Sequence, residues 1–232
     1  MPYFIPEGDA ADCIAVAHPF ATRVYNPIHI MVPSPEFYWH TTPLHFLPEI
    51  LNEGALRASV HPRPTALSRR RKLGLENYIH LSFSSQTPLL VDKLSRGYPH
   101  ALLAFPPEIA QLPGAAYLKY NTKRWAHREE FIPITDATEK QAFLAEWRTG
   151  RYPSAELLIP EQLLLTYASA LVFASQVEGD WLAAFSLPTP PISIAPERFP
   201  AGSAPDLTLL WEWRESCERA GALLSPPDLP FD

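Results

Sequence analysis

Short runs of alternating or helically spaced apolar residues follow one another along the 232-residue chain, without an internal repeat. The aromatic run at 37–42 is typical of a strand, and the apolar residues at 44–52 recur at helical spacing. Gly54 is well placed to end that helix. Further strands are predicted at 78–83, 101–105, 116–120, 155–159 and 167–175, and further helices within 57–77 and at 87–94, 139–148, 177–185 and 207–220. Strands separated by helices of uneven length predict an α+β fold rather than a regular doubly wound sheet.

Proline divides the chain into three parts. It makes up 27 of the 232 residues, against 9 glycines, and it is excluded from helix interiors and central strands. We therefore expect short elements joined by stiff connections. The predicted organisation is a proline-rich arm at 1–36, a core at 37–187 and an acidic, proline-rich extension with one helix at 188–232.

Composition excludes several classes of protein. Two cysteines, Cys13 and Cys217, cannot form a disulfide framework or a cysteine-rich zinc site. No apolar run approaches the roughly 18–20 residues that cross a bilayer, and the N-terminus lacks the pattern of a secretory signal. We therefore expect a soluble, cytoplasmic protein without a membrane partner.

Charge is distributed unevenly. The net charge of −6 argues against a protein that coats nucleic acid nonspecifically. Residues 1–150, however, hold 15 Lys and Arg against 14 Asp and Glu, whereas residues 151–232 hold 4 against 11. One segment without any acid, 57–72, contains Arg57, Arg63, Arg69, Arg70, Arg71 and Lys72. This segment would attract a phosphate group or a polyanion, or it is a solvated basic loop.

The common catalytic motifs are missing from the sequence. The scattered glycines form neither a dinucleotide-binding G-x-G-x-x-G nor a P-loop. H-E-x-x-H, C-x-x-C and G-x-S-x-G do not occur either. We therefore expect no metal site, no P-loop kinase and no serine hydrolase.

Three separate segments instead form an ordered set. Trp39-His40-Thr41-Thr42 ends a strand and leads into the helix before Gly54; Tyr78-Ile79-His80-Leu81-Ser82-Phe83 leads to Thr87-Pro88-Leu89; and Ala155-Glu156-Leu157-Leu158-Ile159 places one carboxylate in an apolar strand. In this order, with the basic segment between the first two, they resemble the DarT family of nucleic-acid-modifying ADP-ribosyltransferases. There the segments read approximately Tyr-His-x-Thr, Phe-Tyr-Phe with Ser-Pro-Met-Leu, and Ala-Glu-Phe-Leu-Val.

The resemblance implies a fold and an activity. The fold would be an ADP-ribosyltransferase-like split β-sheet with flanking helices. The activity would be transfer of ADP-ribose from NAD, without a metal, to a nucleic acid base, in single-stranded DNA first and RNA second. The resemblance further implies a toxin of a toxin–antitoxin or phage-defence system, with an antitoxin partner that is an ADP-ribosyl hydrolase or an inhibitor.

The same resemblance implies two catalytic residues. Glu156 would hold the nicotinamide-ribose hydroxyl, place negative charge beside the oxocarbenium-like transition state and help to remove the acceptor's proton. Arg70 would clamp the pyrophosphate or stabilise charge near the leaving group. From the residues alone, Glu156 is equally an edge-strand glutamate that faces water. Independently of Glu156, at least one of the three adjacent arginines at 69–71 is expected to be a solvated helix end.

Five further residues would bind NAD by the same match. His40 would hydrogen-bond the adenosine-side ribose, Thr42 would orient the dinucleotide, and Arg71 would be the next arginine to meet the phosphates. Tyr78 and Ser82 would line the nicotinamide pocket. From the residues alone, His40 is a partly buried structural histidine. Tyr78 is equally a core tyrosine, and Ser82 an ordinary strand serine.

The acceptor would be read by two segments, 121–128 and 147–151, because cations interleaved with an aromatic can hold phosphates and stack a base. The predicted nucleic-acid-binding residues are Lys123, Arg124, Trp125, His127 and Arg151. Alternatively, 121–128 is a surface loop whose tryptophan packs inward.

Two other functions fit the same sequence. An ADP-ribosyltransferase acting on a protein or a small molecule would keep the fold and change the acceptor. A catalytically inactive relative would serve as an interaction module. RNA 2′-phosphotransferases share the histidine-bearing first strand but lack the downstream glutamate, so Glu156 argues against them.

Overall fold

A computed structural model describes residues 35–58, 64–122, 128–200 and 207–215 except 209 and 213. Within these residues nine strands occur: β1 (Tyr38–Pro43), β2 (Ala55–Arg57), β3 (Tyr78–Ser82), β4 (His100–Phe105), β5 (Ala116–Leu118), β6 (Glu156–Pro160), β7 (Gln162–Leu164), β8 (Ala170–Phe173) and β9 (Ile192–Ile194). Five α-helices accompany them: α1 (Leu47–Glu53), α2 (Pro64–Leu73), α3 (Pro88–Ser95), α4 (Ala137–Arg148) and α5 (Gln176–Ala183). The arm expected at 1–36 lies almost entirely outside the described residues, and the three-part division of the chain stays a prediction.

Seven strands form one sheet in the order β5-β6-β3-β1-β4-β8-β9, and β2 pairs with β7 separately. Neighbouring strands of the large sheet are antiparallel except β8 and β9. β1 pairs with β4 along its whole length, but it pairs with β3 only at Trp39 and Ser82. The sheet therefore splits between β1 and β3, which confirms the expected α+β fold with a split sheet.

Alternation along the strands divides the core between the two faces of the sheet. One face carries the main cluster, which includes Tyr38, Leu81, Phe105 and Leu157 and packs against helical residues such as Leu47, Phe143 and Trp181. The other face carries two smaller clusters. One surrounds Trp39 with residues of α3, and the other contains Leu75, Ala116, Leu118, Phe131 and Leu158. Glu156 lies on this second face, because its cross-strand partner Ser82 pairs in turn with Trp39.

Helix ends follow the local sequence closely. α1 ends at Gly54, whose φ of 66° is the left-handed conformation that glycine adopts at low cost. α3 begins after Thr87, whose side-chain oxygen accepts a hydrogen bond from the Leu90 N–H at 3.1 Å. Of the helix expected at 207–220, residue 207 is not helical, residues 208, 210–212, 214 and 215 are, and the others lie outside the described residues.

Three short strands and several boundaries differ from the sequence prediction. β2, β7 and β9 have three residues each, too few for alternation to be recognised. β9 lies in the proline-rich segment after residue 187 and joins the sheet beside β8. Prolines also end two strands, since Pro43 closes β1 and Pro160 closes β6. No helix among the described residues is long and apolar enough to cross a membrane.

We expect the protein to lose stability at alkaline pH because of two buried tyrosines. The hydroxyl oxygens of Tyr38 and Tyr117 lie 2.9 Å apart in the main cluster. Burial raises the pKa of Tyr38 far above its ordinary value, with a further contribution from Tyr117, and burial also raises the pKa of Tyr117. The folded protein therefore keeps protons that the unfolded chain releases near pH 10, so stability falls as the pH rises above about 10.

Phenolate absorbance and near-ultraviolet circular dichroism during an alkaline titration test this expectation. Two tyrosines should ionise only together with unfolding, and Tyr38→Phe should reduce the amplitude of that step by one phenolate. Ionisation of every tyrosine in a protein that stays folded would contradict it.

Candidate active site

A cleft opens where β1 and β3 separate, on the side of the Trp39–Ser82 pair toward the end of β1. Its volume is about 140 Å³. It is lined by His40, Thr41, Thr42, Pro43, Phe46, Leu56, Arg57, Ala58, Arg70, Ile79 and His80. Consecutive residues of β1 line this cleft, as expected where a strand edge has lost its neighbour. The cleft therefore collects residues from the first two predicted motifs and from the basic segment.

Glu156 begins β6 beside this cleft and is 5% exposed. β6 lies between β5 and β3, so the interpretation of Glu156 as a solvent-facing edge residue is wrong. Both carboxylate oxygens have protein partners: the Asn121 side-chain amide donates to Oε1 at 2.7 Å, and His80 Nδ1 lies 2.7 Å from Oε2. Glu156 is not among the residues that line the cleft. Glu156 is therefore a buried carboxylate whose orientation is set by His80 and Asn121.

His80 reaches Glu156 through the register of two strands. Ser82 is the direct partner of Glu156, and His80 lies two residues earlier in β3, so it is the diagonal neighbour on the same face. Its other ring nitrogen, Nε2, lies 3.5 Å from the Leu75 carbonyl oxygen. The His80 side chain is only 4% exposed and that of Glu156 only 7%. Solvent therefore screens this contact little.

Arg70 is brought to the site by the end of α2. Gly74 takes a φ of 71°, and the Leu75 N–H donates to the Arg70 carbonyl oxygen at 2.8 Å, which turns the chain back over the sheet. Burial lowers the pKa of the Arg70 guanidinium, and the nearby Glu156 carboxylate opposes that change. Arginine nevertheless stays protonated in proteins. Its Nε is buried and has no hydrogen-bond partner among the described residues.

The other predicted NAD-binding residues are divided between the cleft and its surroundings. His40 and Thr42 line the cleft, and Thr42 is buried. Ser82 is half-buried at the point where the sheet splits. Tyr78 packs beside the cluster around Leu75 and does not line the cleft. Arg71 is exposed, so of the two arginines chosen from the sequence the structure brings only Arg70 into the cleft.

The predicted acceptor segments are only partly described. Lys123, Arg124, Trp125 and His127 lie outside the described residues. Arg151 is exposed, lies 2.9 Å from Glu146 in an ion pair and packs over the Tyr152 ring.

The sequence did not assign roles to His80 and Asn121, although they hold Glu156. Each stood inside a segment chosen for other residues, His80 in the second motif and Asn121 at the start of 121–128. The signal that could have found His80 is an ionisable side chain in an otherwise apolar strand. Asn121 carried no comparable signal.

Together these residues place a carboxylate, a guanidinium and an imidazole at the split of the sheet. A carboxylate held this way can stabilise positive charge or take a proton, and the guanidinium can bind an anion such as a phosphate. No cluster of three or more His, Cys, Asp or Glu that could hold a metal ion occurs in the described part of the chain.

Comparison with solved structures shows the same architecture. DarT from Thermus sp. 2.9 in complex with NAD+ matches with a TM-score of 0.57 and 17% identity, over 72% of this chain and 99% of its own. The same DarT in complex with ADP-ribosylated ssDNA gives a TM-score of 0.57 and 15% identity, over 72% and 98%. DarTG from Thermosipho africanus in complex with ADP-ribose gives 0.53 and 17%, over 71% of this chain and 51% of its own.

No protein-family model and no curated protein matches the sequence. The likeness to DarT therefore rests on the arrangement of strands and helices. It confirms the fold expected from the three motifs: this chain has the fold of the DarT ADP-ribosyltransferases.

Proposed function

We propose that this protein is an NAD-dependent mono-ADP-ribosyltransferase that modifies a nucleic acid base, in single-stranded DNA first and in RNA second. The observation that carries the proposal is the buried Glu156 carboxylate beside Arg70 at the split of the sheet. It occurs in a fold shared with a DarT that was captured with NAD+ and with ADP-ribosylated ssDNA.

The cleft offers groups that suit a dinucleotide. Arg70 presents a buried Nε without a hydrogen-bond partner among the described residues, which fits a pyrophosphate oxygen. His40 and Thr42 line the cleft and supply polar side chains for ribose hydroxyls. Arg57 lines it too, although it is in an ion pair with Glu53 at 2.8 Å.

The reaction exchanges one bond at ribose C1′ for another. The bond from C1′ to nicotinamide breaks, and nicotinamide leaves with the bonding electrons. C1′ forms a bond to the acceptor atom, and the acceptor's proton passes to the Glu156 carboxylate. Glu156 thus places negative charge beside the carbon that becomes positive and then acts as the general base.

In this proposal, the two acceptor-binding segments lie next to the candidate catalytic carboxylate or its partner Asn121 in the sequence. Asn121, which donates to Glu156, lies only two residues before Lys123, where the predicted nucleic-acid-binding residues begin. On the other side, Arg151 lies five residues before Glu156. Both proposed acceptor-binding segments therefore lead directly to the candidate catalytic residue, which supports a nucleic acid acceptor.

A biological role follows from the same likeness. DarTG from Thermosipho africanus was solved in complex with ADP-ribose, and we propose that this chain is likewise a toxin, held in check in the cytoplasm by an antitoxin that removes ADP-ribose or blocks the enzyme. Growth arrest on expression of this chain would support that role.

The acceptor is tested by incubating the full chain with NAD labelled in the adenosine half. Single-stranded DNA oligonucleotides, RNA oligonucleotides and a cell extract are offered in separate reactions. We expect label on the single-stranded DNA, with weaker labelling of RNA. Label found only on protein in the extract would show that the acceptor is a protein and not a nucleic acid. If the protein does not bind NAD and no acceptor is labelled, the chain is an interaction module and the proposal is wrong.

A further inference from the structure

We propose that His80 is a positioning residue for Glu156, and that the two side chains share one proton across their contact. This inference rests on the proposed function and gives a role to a residue of the second motif to which the sequence assigned none. It begins from the 2.7 Å contact between His80 Nδ1 and Glu156 Oε2, in which both side chains are buried.

The other ring nitrogen indicates where the protons lie. His80 Nε2 faces the Leu75 carbonyl oxygen at 3.5 Å, and a carbonyl oxygen only accepts hydrogen bonds. We infer that Nε2 carries a hydrogen, because two acceptors that face each other repel. Nδ1 and Oε2 then need one hydrogen between them, because otherwise two lone pairs would meet at 2.7 Å. In the proposed reaction Glu156 acts as a carboxylate, so we place that hydrogen on His80, as an imidazolium that donates to Oε2.

The two partners of Glu156 together fix the plane of its carboxylate. Asn121 holds Oε1 and His80 holds Oε2, each at 2.7 Å. Each carboxylate oxygen has two lone pairs, so one on each oxygen is left for a substrate hydroxyl or an acceptor proton. Asn121 belongs to the segment that follows β5, whereas His80 belongs to β3. We infer that β3, which is paired on both sides at Ser82, supplies the rigid half of this support.

Two substitutions separate the Nδ1 contact from the rest of the imidazole. In His80→Asn the side-chain amide nitrogen occupies the place of Nδ1 and can still donate to Glu156. In His80→Gln the amide reaches toward the place of Nε2 and faces Leu75 instead. His80→Leu removes both groups. His100→Leu is the matched control, because His100 is also buried in the sheet but lies in β4, on the far side of β1 from β3.

We expect His80→Leu and His80→Gln to lower kcat on the order of 100-fold, as misplacement of a reacting group does, while His80→Asn keeps kcat within a few-fold of wild type. The KM for NAD should change little in all three variants. His100→Leu should lower the melting temperature without changing kcat. Equal losses of kcat in His80→Asn and His80→Leu, or a loss confined to KM, would overturn the inference.

Nitrogen NMR of the His80 ring in the full chain provides a readout that does not need activity. We expect a protonated Nε2 and a hydrogen shared with Glu156 at Nδ1, and we expect Glu156→Gln to convert the ring to the neutral form with hydrogen on Nε2. A wild-type ring with hydrogen on Nδ1 alone would refute the shared proton. If the protein neither binds NAD nor transfers label, the proposed function fails, and this measurement still decides whether His80 and Glu156 form the pair.

Discussion

We expect Glu156→Gln to lower the rate of ADP-ribose transfer by a factor on the order of 10²–10⁴. In the proposed mechanism, the change removes the negative charge that stabilises the forming cation and the group that takes the acceptor's proton. NAD binding should be weakened far less than turnover, because in the proposed mechanism Arg70, not Glu156, binds the phosphates. Rates with labelled NAD and oligonucleotide, together with calorimetric binding of NAD, separate the two effects.

The substitution should leave the fold intact, and the reason lies in the partners of Glu156. A glutamine oxygen can still accept from Asn121 in place of Oε1, and its amide nitrogen can donate to Nδ1 of a neutral His80. Both hydrogen bonds of the carboxylate thus have amide counterparts. Glu156→Ala lacks them and leaves His80 and Asn121 without their buried partner, so we expect it to lose stability as well as activity.

Glu161→Gln is the matched control for this experiment. Glu161 follows β6 directly, is exposed and undergoes the same change of charge. It should transfer ADP-ribose at the wild-type rate, and it should arrest growth on expression if the protein is a toxin, whereas Glu156→Gln should not. Wild-type turnover by Glu156→Gln would remove Glu156 from the mechanism.

The parts of the fold that the sequence predicted are those whose packing leaves a local pattern. β4 and β6 carry six and five mostly apolar residues between polar or proline boundaries, so the run itself identifies a strand. β2, β7 and β9 exist because a neighbouring strand lies beside them, and three residues carry no pattern of that pairing. Tertiary context thus decided what local propensity could not.

The same distinction applies to the candidate site. The sequence identified Glu156 because a carboxylate in an apolar strand is conspicuous, but its contact with His80 depends on the register of β3 against β6. A slip of one residue would put His80 on the opposite face of the sheet. Likewise, the turn at Gly74 places Leu75 over the sheet directly after α2. Neither fact can be obtained from residue type and spacing alone.

Helix phase explains why Arg70 lines the cleft and Arg71 does not. Successive residues of an α-helix point about 100° apart, so three adjacent side chains cannot all face the sheet. α2 directs Arg70 into the cleft and leaves Arg71 exposed. The sequence could narrow the proposed phosphate-binding residue to this segment, and the orientation of the helix favours Arg70.

We therefore expect Arg70→Lys to weaken NAD binding roughly 10- to 100-fold, the range that corresponds to loss of a hydrogen bond to a charged group. Lysine keeps a positive charge but cannot present two parallel N–H groups to a phosphate. Burial would also disfavour its charged form, as it already lowers the pKa of the Arg70 guanidinium. Calorimetric titration with NAD measures the loss directly.

Arg71→Lys is the matched control for this prediction, because it is the same substitution at the adjacent residue. Arg71 is exposed and outside the cleft, so NAD binding should stay within about two-fold of wild type, in line with the small contribution of an exposed charge. A larger loss in Arg71→Lys than in Arg70→Lys would mean that α2 turns in the bound state or that the phosphates lie outside the cleft. Equal and small losses would show that neither arginine clamps NAD. Only a loss confined to Arg70 assigns the phosphates to the guanidinium that lies beside Glu156, and with it places C1′ within reach of that carboxylate.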